Sequence, residues 1–266
     1  MTSLPNIQVL TLPFSLFGHS TTLNPVLLYD GDEALLVDCG LPGQCSVLCD
    51  ALLSCLKNRR LTKVVITCQD IDHFGCAMQL GSLFGAQLIA HHNDLPYIEG
   101  RVTPLKLDPL WMRTRVEPFR QEALRVASDI SGYSEQVNKF GNDIRLAGSI
   151  LEALPKVRVD NVLYGGEVMQ VLGGIDVLWA PGPTPGHIVL YVRSMRLLIA
   201  GDLVRVEEGV LRYPNSTYVW DQAQTVASLR MVARLDVDYV AAYHGGLYGP
   251  DAAVRLKGLL VDMDNS

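Results

Sequence analysis

Cys68, Asp70, Asp72 and His73 fall together in the segment TCQDIDHFG (Thr67 to Gly75), which brings a thiol, two carboxylates and an imidazole within six positions. Three later segments add donors of the same kinds: APGPTPGH (Ala180 to His187) ends in His187, LLIAGDLV (Leu197 to Val204) carries Asp202, and AAYHGG (Ala241 to Gly246) carries His244. Each set follows an apolar, strand-like run, and loops at strand ends can project several side chains to one point. Two imidazoles with two carboxylates can hold Zn²⁺, Fe²⁺ or Mn²⁺ in tetrahedral or open octahedral geometry. Each residue also has a structural reading. Asp72 and Asp202 could cap turns, His73 could be a satisfied core histidine, His244 could end a strand, and Cys68 could be a small buried hydrophobe.

The elements that must position these residues are legible from periodicity. Strands are expected at Ile7 to Leu12, Asn24 to Tyr29, Glu33 to Asp38, Lys63 to Thr67 and Ala86 to His91, with a Gly31-Asp32 hairpin turn. Helices are expected from Pro42 to about Asn58 and from Gly75 to about Phe84. In the second half, strands at Val168 to Val171, Ile175 to Ala180, Ile188 to Val192 and Arg196 to Ala200 precede a helix from Asp221 to about Leu235. A last strand, Asp238 to Ala242, and a helix, Asp251 to Met263, complete the pattern. This predicts an α+β fold, an αββα four-layer sandwich of two mixed sheets packed face to face with helices outside. Residues 1–266 read as a single domain with a helical insertion at about 107–155, open to a role as lid, homodimer face or plain packing.

Composition narrows the function classes. The 266 residues are 48% hydrophobic and 19% charged with a net charge of −6, enough apolar material for a large core and without the basic stripe that nucleic acid requires. No apolar run reaches the roughly 18 residues of a membrane span, and the N-terminus lacks the charge and cleavage pattern of a secretory signal. A cytoplasmic protein with reduced thiols is expected, acting on a small molecule rather than on nucleic acid or membrane. All six cysteines lie in the first third with no CxxC pair. There is no GxSxG elbow, no Walker A loop and no GxGxxG after a strand.

In order and spacing, the four segments resemble the metallo-β-lactamase fold, with TCQDIDHFG similar to a bacterial branch carrying T-H-Q-D-I-D-H. The resemblance runs from the Val37-Asp38-Cys39-Gly40 strand end to Tyr243-His244-Gly245-Gly246. It implies two metal sites. The second would use Asp72, His73, Asp202 and His244, all present, with Asp202 the carboxylate shared by both sites. The first departs from the pattern: Cys68 and Asp70 stand at its first two ligand positions and Pro183, which cannot bind a metal, at the third. His187 aligns with a neighbouring, non-ligand position. Cys68, Asp70 and His187 would then form at most a vestigial first site.

The implied activity is hydrolysis of a small ester, thioester or lactone with one divalent ion per chain in the second site, zinc first and iron or manganese next. Asp72 would help hold the ion and orient or deprotonate the attacking water, a catalytic role. Arg205 stands where acyl-homoserine lactonases carry a tyrosine, which disfavours that activity. The alternative is a catalytically degenerate, metal-free member acting as a binding or regulatory protein. His91 and His92, adjacent on a strand, point to opposite faces and are expected outside the metal site. Trp111, Tyr218 and Trp220 could line a pocket or pack in the core.

Overall fold

The computed structural model of the chain describes residues 4–16, 19–103, 105–107 and 156–264. The helical insertion expected at about 107–155, with Trp111, lies outside the described residues. The first half runs β1 (Ile7–Val9), a hairpin of β2 (Leu12–Leu16) and β3 (His19–Leu23), a second hairpin of β4 (Val26–Asp30) and β5 (Glu33–Val37), α1 (Cys45–Leu56), β6 (Arg60–Ile66), α2 (Ile71–Phe74), α3 (Ala77–Phe84), β7 (Gln87–His91) and α4 (Leu95–Ile98). After a 3-10 turn at Leu105–Leu107 come β8 (Asn161–Leu163), β9 (Val168–Met169), β10 (Ile175–Trp179), β11 (Ile188–Val192), β12 (Leu197–Gly201) and the hairpin β13 (Arg205–Glu207) and β14 (Val210–Arg212). The chain closes with α5 (Gln222–Val232), β15 (Tyr239–Ala242), β16 (Gly246–Tyr248) and α6 (Ala252–Asp264).

One sheet has the order β1-β4-β5-β6-β7-β8 and the other β16-β15-β12-β11-β10-β9. In the first, β5, β6, β7 and β8 are parallel neighbours, while β1, β4 and β5 pair antiparallel. In the second, only β12 and β15 pair in parallel. Parallel strands covered on both faces read as continuous apolar runs, and the strand period of two sorts their side chains. On β5, Leu35 and Val37 join Val65, Ile89, Val177, Leu190 and Ile199 in the layer between the sheets. Ala34 and Leu36 turn the other way, into a cluster with Leu48, Leu52 and Leu56 of α1 and Leu80 of α3. The second sheet repeats this: Leu198, Ala200, Val240 and Ala242 pack with Leu229 and Val232 of α5 and Leu256 and Leu259 of α6. The result is the predicted α+β sandwich of two sheets with helices outside.

Several local expectations change. The helix expected to open at Pro42 begins with a 3-10 turn over Pro42–Gln44 before α1, and the one expected to open at Gly75 is two pieces, α2 and α3. The hairpins β2–β3 and β13–β14 and the strands β8 and β16 have no counterpart in the expected strands: each is held by pairing and, among the described side chains, buries at most two apolar ones, such as Leu12, Leu23, Leu163 and Leu211, too few to set a period. Cys45 and Cys76, expected as thiols, pair as a disulfide with Cα atoms 5.3 Å apart, which ties the start of α1 to the loop after α2. Cys39, Cys49, Cys55 and Cys68 are free. Among the described residues, no helix is long and apolar enough to cross a membrane.

Candidate metal centre

Three parallel strands of the first sheet end side by side, so their following residues converge. Asp38 leaves β5, Thr67 and Cys68 leave β6, and Asp94 follows β7. Asp38 takes a left-handed backbone, φ 61°, that turns its carboxylate across to the β6 end. There Oδ1 accepts from the Thr67 backbone N–H at 2.8 Å and Oδ2 from the Thr67 hydroxyl at 2.7 Å.

His73 lies on the single turn α2 and is fully buried. Its Nδ1 is 3.0 Å from Asp38 Oδ2 and 3.0 Å from Thr67 Oγ1. The carboxylate can only accept, so Nδ1 carries a proton; the neutral ring then presents a lone pair at Nε2, the position that an ion would take in place of a second proton. Burial opposes charge on this ring, but Cys68, Asp38, Asp202 and Asp72 together outweigh it and raise its pKa.

That Nε2 faces Asp202 Oδ1 at 3.3 Å. From the far sheet, the loop after β15 brings His244 Nε2 to 3.3 Å from the same oxygen and 3.5 Å from Asp72 Oδ2. Neither His73 Nε2 nor Asp202 Oδ1 has a hydrogen-bond partner, though both are buried. Donor atoms about 2.0–2.1 Å from a tetrahedral ion stand about 3.3 Å apart, so the spacing of these orphaned atoms fits a divalent ion. Asp72, His73 and His244 offer ligand atoms within 4.8 Å of one another, as do Cys68, His73 and Asp202. Although burial pushes its carboxyl up, Asp202 is held well below the usual carboxylate range by His73, His244 and Lys106.

The vestigial set is arranged differently. Asp70 Oδ2 pairs with Lys106 Nζ, which lies 3.9 Å from Asp202 Oδ2, while Cys68 sits with His73 and Asp202. Burial raises the Cys68 thiol and, against the pull of Lys106, the Asp70 carboxyl. His187 is turned away from both clusters: Nδ1 donates to the Ala180 carbonyl at 2.9 Å and Nε2 accepts from the Asp202 backbone N–H at 3.0 Å. Pro183 contributes only its carbonyl, to Trp220 N–H at 3.3 Å. Arg205 pairs with Glu207 at 2.9 Å on the surface. His91 is buried and stacks on Trp179, centroids 5.7 Å apart, while His92 stacks on Tyr164; neither belongs to a metal-ligating cluster among the described residues. Tyr218 remains half-exposed.

Besides Asp38, three supporting residues have no role in the sequence reading. Tyr243 accepts from Gly40 N–H at 3.1 Å, donates to the Asp72 carbonyl and packs its ring 4.0 Å from His73. Asp94 accepts from Gln69 N–H at 2.9 Å, Thr184 Oγ1 at 2.6 Å and Gly186 N–H at 2.8 Å, joining the ligand loop to the loop before His187. Lys106 arrives from outside every motif. Tyr243 adjoins a motif histidine and Asp38 ends a strand, signals that could have marked both; Asp94 and Lys106 carry none.

The superfamily model described as Metallo-beta-lactamase superfamily matches residues 23–244, which takes in all of these loops. A Bacillus subtilis (strain 168) protein described as a probable metallo-hydrolase is 22% identical over 223 residues, 79% of this chain and 75% of that protein. Among solved structures, a metallo-beta-lactamase family protein of Thermus thermophilus matches with a TM-score of 0.65 and 24% identity, covering 98% of this chain and 80% of that one. A beta-lactamase domain protein of Burkholderia ambifaria matches with a TM-score of 0.67 and 18% identity, covering 100% and 74%. With more than half its length matched by the family model and the same fold throughout, the chain belongs to the metallo-beta-lactamase superfamily.

Proposed function

We propose that this chain hydrolyses a small ester, thioester or lactone with one divalent ion, zinc before iron or manganese, held by Asp72, His73, Asp202 and His244. The observation that supports this most is the chain of close approaches His73 Nε2 to Asp202 Oδ1 and His244 Nε2 to Asp202 Oδ1, both 3.3 Å, and His244 Nε2 to Asp72 Oδ2, 3.5 Å, with His73 Nε2 and Asp202 Oδ1 buried without a hydrogen-bond partner. An ion bound there would lower the pKa of water from 15.7 toward about 7 and stabilise charge developing on a carbonyl oxygen. Asp38 holds His73 in the tautomer that leaves Nε2 free, the carboxylate-histidine arrangement that orients a metal ligand. Asp72 would help hold that ion and orient or deprotonate the attacking water. Tyr243 fixes the Asp72 backbone from the far sheet.

The test is metal content per chain by plasma mass spectrometry on tag-free protein and on His73→Ala, followed by a panel of esters, thioesters and lactones. About one ion per chain, lost in the variant, with turnover on the panel, is the expected result. No ion after loading with Zn²⁺, Mn²⁺ and Fe²⁺ would leave the metal-free binding protein as the better reading. That rival draws on the ion pair of Lys106 with Asp70, which neutralises part of the acidic cluster without metal.

A further inference from the structure

The two oxygens of Asp202 face different partners. Oδ1 lies 3.3 Å from both His73 Nε2 and His244 Nε2, whereas Oδ2 looks toward Lys106 Nζ at 3.9 Å. The same ammonium pairs with Asp70 Oδ2, and the side chains of Lys106, Asp70 and Asp202 are only 14%, 9% and 15% exposed. Its position is built. The 3-10 turn Leu105–Leu107 is pinned to the ligand loop by a hydrogen bond from Leu105 N–H to Gln69 Oε1 at 3.0 Å.

The groups around this ammonium are those that the resemblance assigns to a first ion: Asp70 and the shared carboxylate Asp202, with Cys68 offering its sulfur within 4.8 Å of an Asp202 oxygen. The third position of that set is Pro183, without a donor, and both ring nitrogens of His187 are engaged elsewhere. An ammonium has three donors and no lone pair, so it satisfies carboxylates but cannot share its place with a metal ion. We propose that Lys106 is the resident cation of the first site, its ammonium standing in for a second metal ion and limiting the chain to the single ion of the second site. The part about the second ion rests on the function proposed above.

A buried charge that matches Asp70 and the outer oxygen of Asp202 also explains how two acidic groups persist beside a site that has lost its imidazoles. Removing it leaves unpaired carboxylates next to Cys68, a donor set of one thiol and two carboxylates for which a divalent ion is the natural replacement.

The experiment compares the full chain with Lys106→Met after chelator stripping and loading with Zn²⁺ or Co²⁺, counting ions per chain by plasma mass spectrometry and recording the cobalt absorption spectrum. Lys106→Met is expected to hold one more ion per chain than the unaltered protein. Its cobalt form should show a near-ultraviolet thiolate-to-cobalt band, from Cys68, that the unaltered protein lacks. An unchanged count in a folded variant overturns the proposal, as does a thiolate band or a second ion in the unaltered protein, a measurement that needs no variant at all. Lys106→Gln carries the same readout if the methionine variant does not fold. With one ion or none in the parent, the increment between variant and parent decides the role of Lys106, and a parent count of zero counts only against the metal-hydrolase reading.

Discussion

The backbone N–H of Asp202 donates to His187 Nε2 at 3.0 Å, so the histidine that ends the APGPTPGH motif braces the Asp202 backbone and has no free ring nitrogen to offer beside its carboxylate. Gly201 makes this approach feasible: a Cβ there would lie 2.6 Å from His187 Nε2. The His187 ring is wholly buried and its pKa is pushed down to about 4, by burial first, with the pull of Asp202 acting against it.

That burial predicts an acid-labile contribution to stability. The unfolded chain takes up the His187 proton near pH 6.5 and the folded chain only near pH 4, so in between the unfolded state binds more protons. The contribution is therefore intact above pH 6.5 and lost as pH falls to about 4, by about 3 kcal/mol. Asp94 works in the opposite sense, its carboxyl raised to about 6 by burial, so its penalty is full above pH 6 and relieved below about 4. Because the two nearly offset, the measure is the difference between parent and His187→Phe in urea unfolding, which should shrink by about 3 kcal/mol from pH 7 to pH 4. A difference that stays constant with pH would show that His187 is not buried neutral.

Asp38→Asn should weaken metal binding without unfolding the chain. The asparagine keeps the size of the side chain but removes the negative charge that fixes the His73 tautomer at 3.0 Å. Loss of such an outer partner lowers metal affinity about 10–100-fold. Competition with a chromophoric chelator measures the affinity, and because both Asp38 oxygens accept buried hydrogen bonds, circular dichroism should show a folded chain destabilised by about 1–3 kcal/mol.

Tyr243→Phe tests the tie between the two sheets. Its hydroxyl serves both Gly40 N–H and the Asp72 carbonyl, and without it both backbone groups lose a partner. The expected destabilisation is about 1–3 kcal/mol, accompanied by weaker metal retention because Asp72 and His73 share the backbone that the hydroxyl holds. Unchanged stability and unchanged metal content would remove Tyr243 from the site.

The Cys45–Cys76 disulfide closes a span of 31 residues, a length for which chain entropy gives roughly 4 kcal/mol. Thiol titration of protein denatured without reductant should find four groups per chain, Cys39, Cys49, Cys55 and Cys68, and six after reduction. Six in both cases would mean that the pair is reduced in the isolated protein. Cys45→Ser should lower the urea midpoint to the same extent as reduction.

The order of the four motifs and the period of the strands carry the fold on their own, because a strand buried on both faces must be apolar along its length, as in Leu197–Gly201, and a ligand loop follows such a strand. The residue types of Asp72, His73, Asp202 and His244 are likewise sufficient to nominate a metal set. Which donors face one another was decided only by tertiary structure. Cys68 and Asp70 stand in the same loop as Asp72 and His73, yet Asp70 is claimed by a lysine 36 positions later, and His187 spends both ring nitrogens on backbone. The disulfide and the Tyr243 bridge are legible nowhere in the spacing for the same reason: each joins segments whose proximity is set by how helices and sheets pack, and local periodicity reports the face a residue occupies but not the partner it meets there.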